Sequence, residues 1–201
     1  MALLQVIRDR DMRDLPWSKG ARAVQDRIAF VKHHEANPEN WPDIDDASLL
    51  ETLEEWLLPY LAGKNRVADL ADLKLEEILQ AGLEWEQQQK LDQFAPSHMK
   101  VPTGSRIRLD YSNPDIPVLA VRLQELFGQQ DIEAVAGGTV PVTLHLLSPA
   151  GRPAQITKDL AGFWQNSYAD VKKDLKGRYP KHYWPDDPLQ AEPTARAKPR
   201  K

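Results

Sequence analysis

The apolar residues of this 201-residue chain keep one spacing before Pro96 and another after it, and that change divides what the chain can fold into. Ahead of Pro96, Ala21, Val24, Ile28 and Val31 recur at three- and four-residue intervals with Arg22, Asp26 and Arg27 between them, which is the stripe of a helix burying one side. Breaks follow at Asn37-Pro38 and Trp41-Pro42. Asp45 is placed to cap the next helix, with Ile44 and Leu49 closing a hydrophobic staple over its first turn. That helix is predicted to bury Leu49, Leu53, Trp56 and Leu57, with Tyr60 at its margin, and to end at Pro59 and Gly63. Two shorter helices are predicted near Lys74–Ala81 and Trp85–Phe94.

Behind Pro96, Ser105–Tyr111 alternates: Ile107, Leu109 and Tyr111 lie on one face, and Arg106, Arg108 and Asp110 on the other. Pro117–Phe127 returns to helical spacing through Val118, Val121, Leu123 and Leu126. Gly137-Gly138-Thr139 signals a turn, and Val140–Leu147 reads as a strand that Ser148–Gly151 folds into a hairpin with Pro153–Ile156. Thr157 is a candidate cap for a helix carrying Leu160, Phe163 and Trp164. Ser167 and Asp170 form a capping box for a last helix to Leu175, stopped by Gly177. The expected fold is α+β: a helical subdomain over residues 1–95, then a small, mostly antiparallel sheet flanked by helices over 96–187. Residues 188–201, rich in Pro, Ala and basic side chains, are expected as a disordered basic tail.

Composition excludes several classes. The runs Leu57-Leu58 and Leu144–Leu147 are far too short to cross a bilayer, and the N-terminus is apolar for seven residues before turning charged, with no small-residue cleavage site. There is no cysteine, which removes thiol catalysis and Cys-based metal sites. A cytoplasmic protein without a membrane partner is expected. Residues 1–95 carry 11 Lys/Arg against 19 Asp/Glu, whereas residues 151–201 carry 11 against 6. This asymmetry puts any nucleic-acid contact in the last quarter, although two solvated surfaces of opposite sign account for it as well.

Catalytic constellations are absent. No G-x-x-x-x-G-K-[ST] segment cradles phosphate, no Asp-Glu-x-His box positions magnesium, and Gly137-Gly138 lacks the lysine and the helix such a loop needs. His33, His34, His98, His145 and His182 are not spaced as zinc ligands. Ser105 sits outside any G-x-S-x-G pattern, and helix capping explains Asp43, Asp45 and Asp46. No catalytic, cofactor or metal residue is assigned.

The chemistry concentrates in Lys172–Trp184, which interleaves Lys172, Lys173, Lys176, Arg178 and Lys181 with Tyr179, Tyr183 and Trp184. Cations that neutralise phosphates beside rings that stack on bases are the means of single-strand binders. A helix end complementing its dipole, with the aromatics folded back as a strap, is the other reading. Arg152 and Lys158 extend the patch from the hairpin, and Arg106 and Arg108 present a second pair of cations from a strand. Charge protecting an edge strand explains that pair equally well.

Several runs resemble one known family. Val101-Pro102-Thr103-Gly104-Ser105-Arg106-Ile107-Arg108-Leu109-Asp110-Tyr111-Ser112 and Pro117–Gly128 are similar to the C-terminal domain of bacterial HrpB-type DEAH-box ATP-dependent helicases. So are Val142–Pro153, Asp159–Trp164, Lys176–His182 and Trp184–Pro188, while Leu53–Leu61 resembles the helical stretch ahead of that domain. Tyr183 departs from the pattern, which has proline there. The resemblance implies a parent helicase whose ATP and magnesium sit in motor domains that this sequence does not contain. It makes single-stranded RNA and those motor domains the expected partners. A docking module without nucleic-acid contact is the alternative, using Asp43, Asp45, Asp46, Glu51, Glu54 and Glu55 with Trp17, Trp41 or Trp85 as anchors.

Overall fold

A computed structural model describes residues 2–198. They fall into two units: one runs to Ala95 and includes Ser112–Pro114, and the other holds Pro96–Tyr111 and the chain from Asp115 onward.

The first unit contains α1 (Ala2–Asp9), α2 (Lys19–His34), α3 (Asp46–Glu51), α4 (Leu53–Trp56), α5 (Leu75–Ala81) and α6 (Trp85–Phe94). Ser18 starts α2 by accepting a hydrogen bond from the Ala21 amide at 3.0 Å, and the stripe of Ala21, Val24, Ile28 and Val31 is buried as its spacing predicts. Arg27, expected among the solvated positions, is buried instead. It donates to the Ala95 carbonyl at 2.6 Å and the Leu91 carbonyl at 3.3 Å, and pairs with Asp92 at 2.7 Å. A cation thus satisfies the Ala95 carbonyl at the C-terminal end of α6 and shares the Leu91 carbonyl with the Ala95 amide.

Asp45 caps α3 by accepting from the Ala47 and Ser48 amides, both at 3.0 Å. The single helix expected beyond it is two. Thr52 leaves helical geometry at φ −94°, ψ 20°, its hydroxyl bonds back to the Ser48 carbonyl at 2.8 Å, and a 3-10 turn over Leu58–Leu61 follows α4. Leu49, Leu53 and Leu57 are buried, while Trp56 is half-buried and Tyr60 exposed. Each fully buried leucine contributes about 1.5–3 kcal/mol. The sequence gives no clear signal for α1, which buries only Leu4 and Ile7.

The second unit is a five-stranded sheet with two helices. Its strands are β1 (His98–Lys100), β2 (Arg106–Asp110), β3 (Val118–Arg122), β4 (Thr143–Leu147) and β5 (Pro153–Thr157), in that spatial order. All neighbours are antiparallel except β3 and β4, which run parallel. β3 corrects the helix expected over Pro117–Phe127. Leu119 and Val121 are buried with Ala120 and Arg122 exposed between them, and only Leu123–Leu126 turns, as 3-10 helix. Pairing on both sides overrides a run too short to declare its own period. The β4–β5 hairpin closes where expected, with Gly151 at φ +76° in the turn.

Two helices follow, α7 (Leu160–Asn166) and α8 (Tyr168–Arg178). Asp159, not Thr157, caps α7, accepting from the Gly162 amide at 2.8 Å. Ser167 makes no side-chain cap, and α8 continues through Gly177 to Arg178. Phe127, Phe163, Trp164 and Tyr168 form an aromatic cluster, with Phe163 and Trp164 centroids 5.0 Å apart and Trp164 and Tyr168 5.4 Å apart.

Residues 188–198, expected as part of a disordered tail, make backbone hydrogen bonds to the rest of the unit. The Gly128 amide donates to the Pro188 carbonyl at 2.9 Å, Thr194 to Gln124 at 2.9 Å and Tyr183 to Ala197 at 2.7 Å, while Pro188, Ala191 and Thr194 are buried. Few apolar atoms are needed, because this strap supplies partners to buried backbone that would otherwise lack them. Residues 199–201 of the expected tail lie outside the described residues.

Candidate nucleic-acid interface

α8 carries Lys172, Lys173 and Lys176 and ends in Arg178, so the polar face of its second half is cationic. Two of the four are engaged. Lys172 bonds to Asp186 and lies 6.0 Å from the Tyr168 ring centroid; Arg178 pairs with Asp174 one turn back at 3.0 Å. The hydrogen bond from Lys172, and then the charges of Lys172 and Lys176, hold the Asp186 carboxyl below the usual carboxylate range. Lys173 and Lys181 are exposed and form no ion pair among the described residues.

The aromatics of this segment serve the fold. Trp184 is buried and donates its indole N–H to the Tyr179 carbonyl at 2.9 Å. Tyr179 is half-buried, its amide capping α8 through the Leu175 carbonyl at 2.7 Å and its ring edge-on to His182 at 6.0 Å. Tyr183 stands edge-on to Phe127 at 6.0 Å. Burial raises the Tyr168 hydroxyl well above its ordinary value, so it stays a neutral donor to the Pro185 carbonyl at 2.9 Å.

Arg152 is exposed in the β4–β5 turn, where its backbone exchanges hydrogen bonds with Ser148, and Lys158 is exposed just beyond β5. Arg106 and Arg108 are exposed on β2, which pairs on both sides and is not an edge strand. Strand register brings companions that the sequence reading missed. Lys100 lies directly opposite Arg106, and His98 opposite Arg108. Asp110 opposes Val118, so Ala120 and Arg122 of β3 fall on the same face. The only signal for this in sequence is the alternation inside each strand; the pairing that unites them is not local.

The remaining candidates scatter. His34 Nε2 meets the Pro114 carbonyl at 2.8 Å, and His182 Nδ1 is buried without a partner. Among the described residues no three His, Asp or Glu side chains converge as metal ligands, and no helix is long and apolar enough to cross a membrane. In the helical unit Asp43 pairs with Lys32, Asp46 with Arg22 and Glu54 with Arg8. The Ser48 hydroxyl, and then backbone amides, keep the capping Asp45 carboxyl below its usual range. Trp41 is buried, Trp17 is half-buried under the Arg22 guanidinium at 3.9 Å, and Trp85 is 72% exposed.

The family described as "ATP-dependent helicase C-terminal" (HrpB_C) matches residues 56–188, most of the chain. The chain belongs to the HrpB helicase family. ATP-dependent RNA helicase HrpB of Escherichia coli (strain K12) is 47% identical over 198 residues, covering 98% of this chain and 24% of that protein. The crystal structure of E. coli DExH-box NTPase HrpB matches with a TM-score of 0.84 and 46% identity, over 96% of this chain and 24% of that one. A second crystal structure, of Escherichia coli DEAH/RHA helicase HrpB, matches with a TM-score of 0.73 and 43% identity over 90% and 23%. The chain therefore spans about a quarter of the length of the HrpB proteins it matches.

Proposed function

We propose that this chain is the accessory C-terminal part of an HrpB-type ATP-dependent RNA helicase and helps a motor, encoded outside it, to hold single-stranded RNA. ATP and magnesium belong to that motor, since no G-x-x-x-x-G-K-[ST] segment occurs in these 201 residues. The observation that carries the reading is the exposed cationic face of α8 and the turn after it, Lys173, Lys176 and Lys181, on a chain 47% identical to an RNA helicase. Cations on a helix face and its following turn track phosphates without reading sequence.

Fluorescence anisotropy with labelled single-stranded RNA at two salt concentrations tests it. Binding that weakens with salt, and weakens further when Lys172, Lys173, Lys176, Arg178 and Lys181 become glutamine, is the expected result. A chain that binds no RNA at low salt removes the reading.

One observation favours a second reading, docking to the motor without RNA contact. Ile44, Leu49, Trp56, Ile78 and Leu79 line a groove in the helical unit, with Asp43, Glu51 and Glu55 also at its walls. An apolar groove with acidic walls suits a basic amphipathic helix. Co-purification with the separately expressed motor, lost on Glu51→Lys with Glu55→Lys, supports that reading.

A further inference from the structure

We infer that the open face of the five-stranded sheet is a binding surface for single-stranded RNA, with Lys100, Arg106, Arg108 and Arg122 holding phosphates and His98 and His145 offering rings to bases. The inference rests on the reading that this chain meets RNA, and not on α8.

The argument begins with register. Residues directly opposite in an antiparallel pair point to the same side, so Lys100 with Arg106, and His98 with Arg108, share a face. The Asp110–Val118 pair carries that face onto β3 as Val118, Ala120 and Arg122. Ala120 lies beside His145, and His145 opposite Ile156, so the face continues across β4 and β5. The other face holds Leu109, Leu119, Val121, Leu144 and Leu146, all buried. On this face Lys100, Arg106, Arg108, Ala120 and Arg122 are exposed, His98, Val118, His145 and Leu147 are half-buried, Ile156 is 58% exposed, and Thr143 alone is buried.

Charge then selects the occupant. The cations on this face are Lys100, Arg106, Arg108 and Arg122, against the single carboxylate of Asp110. Lys100, Arg106 and Arg122 form no ion pair among the described residues. Lys100 directly opposite Arg106 is a like-charge cross-strand pair, an arrangement that destabilises a sheet. Edge protection accounts for Lys100 on β1, but not for Arg106 and Arg122 on interior strands. A polyanion lying over the face relieves the repulsion and gains from releasing its own counterions.

A protein partner of ordinary kind needs a large exposed apolar anchor near the centre of its patch. Here Ala120 and Arg122 are the exposed central residues, Val118 and Leu147 are half-buried, and the exposed Ile156 stands at the far side. Ala120 keeps the middle of the face low, which lets a splayed single strand lie flat with its bases down. Imidazole rings are among those on which unstacked RNA bases sit.

The test uses the whole chain and a fluorescein-labelled oligouridylate. Changing Lys100, Arg106 and Arg122 together to glutamine should weaken binding about tenfold or more, and lower the slope of log affinity against log salt by about two, since each single-strand phosphate contact contributes about 0.7. The charge-keeping set Lys100→Arg, Arg106→Lys and Arg122→Lys should bind within about twofold of the unmodified chain. 4-Thiouridine RNA should photo-crosslink to peptides spanning residues 98–108 and 118–122. Melting temperature confirms that both sets fold; if the glutamine set unfolds, the crosslinks decide, and their absence from both peptides overturns the inference.

Unchanged affinity in the folded glutamine set, with loss when Lys173, Lys176 and Lys181 are changed, overturns the sheet and leaves the helix reading standing. No RNA binding by the unmodified chain overturns both. Displacement of the RNA by oligoglutamate as readily as by unlabelled RNA also overturns the inference, because the face then takes an acidic polypeptide.

Discussion

The chain carries two basic surfaces, one on α8 and one on the open sheet, and they differ in what their cations already do. On α8, Lys172 and Arg178 are tied to Asp186 and Asp174, the helix dipole accepts positive charge at this end, and the neighbouring Trp184 is core. On the sheet, Lys100, Arg106 and Arg122 have no such engagement, and two of them oppose each other across a strand pair. On the helix the fold itself accounts for Lys172 and Arg178 and leaves Lys173, Lys176 and Lys181 exposed; on the sheet it sets two cations against each other. A run of Lys and Arg is visible in sequence, whereas unpaired cations gathered by register are visible only in the fold.

The largest effect that would break this comparison sits at Trp184. Trp184→Ala should cost about 3–5 kcal/mol of stability in a denaturant titration, because it empties core volume. If instead the variant keeps its stability and loses RNA affinity, Trp184 is a stacking residue and the helix surface regains priority. Next in size is Ala120→Glu, which sets a carboxylate among the sheet cations. It should weaken oligouridylate binding about tenfold at low salt and leave stability within about 0.5 kcal/mol, as at other exposed positions.

A smaller effect is expected from changing Lys172 and Arg178 to glutamine. These cations already face carboxylates, so the slope of log affinity against log salt should fall by less than about 0.7 per side chain. The smallest concerns Asp186→Asn. The lowered Asp186 carboxyl stabilises the fold above the ordinary aspartate range, and that contribution is lost as pH falls through its lowered value. The variant should melt slightly lower at neutral pH and together with the unmodified chain in acid. The difference should shrink with salt, as for any exposed pair.

Local signals were legible wherever the chain decides locally. The α2 stripe, the Asp45 cap, the alternation of β2 and the Ser148–Gly151 hairpin all read correctly, since each depends on neighbours a few residues away. β3 did not, because Val118 and Val121 suit a helical stripe as well as Leu119 and Val121 suit a strand, and pairing decides. Arg106 and Arg108 were visible as a pair of cations, but Lys100 and Arg122 join them only through strand pairing. The burial of Arg27 was not legible, and for Trp184 the sequence left stacking and a folded-back strap both open, because the groups that accept their hydrogen bonds are carbonyls, which sequence does not advertise. The strap over 188–198 escaped notice similarly, being held by backbone amides rather than by large apolar side chains.

The one parallel pairing in the sheet also sets a clock. β1, β2 and β3 join in sequence through short connections, as do β4 and β5, and each pair can close early at small entropic cost. β3 meets β4 in parallel, with Val118 beside Thr143, so the crossover between them must be spanned before the two hairpin groups become one surface. Contact order makes the docking of β3 against β4 the step expected to be slowest in the formation of this domain. Until it happens, the cations of β1 to β3 and the histidine of β4 belong to separate pieces of chain.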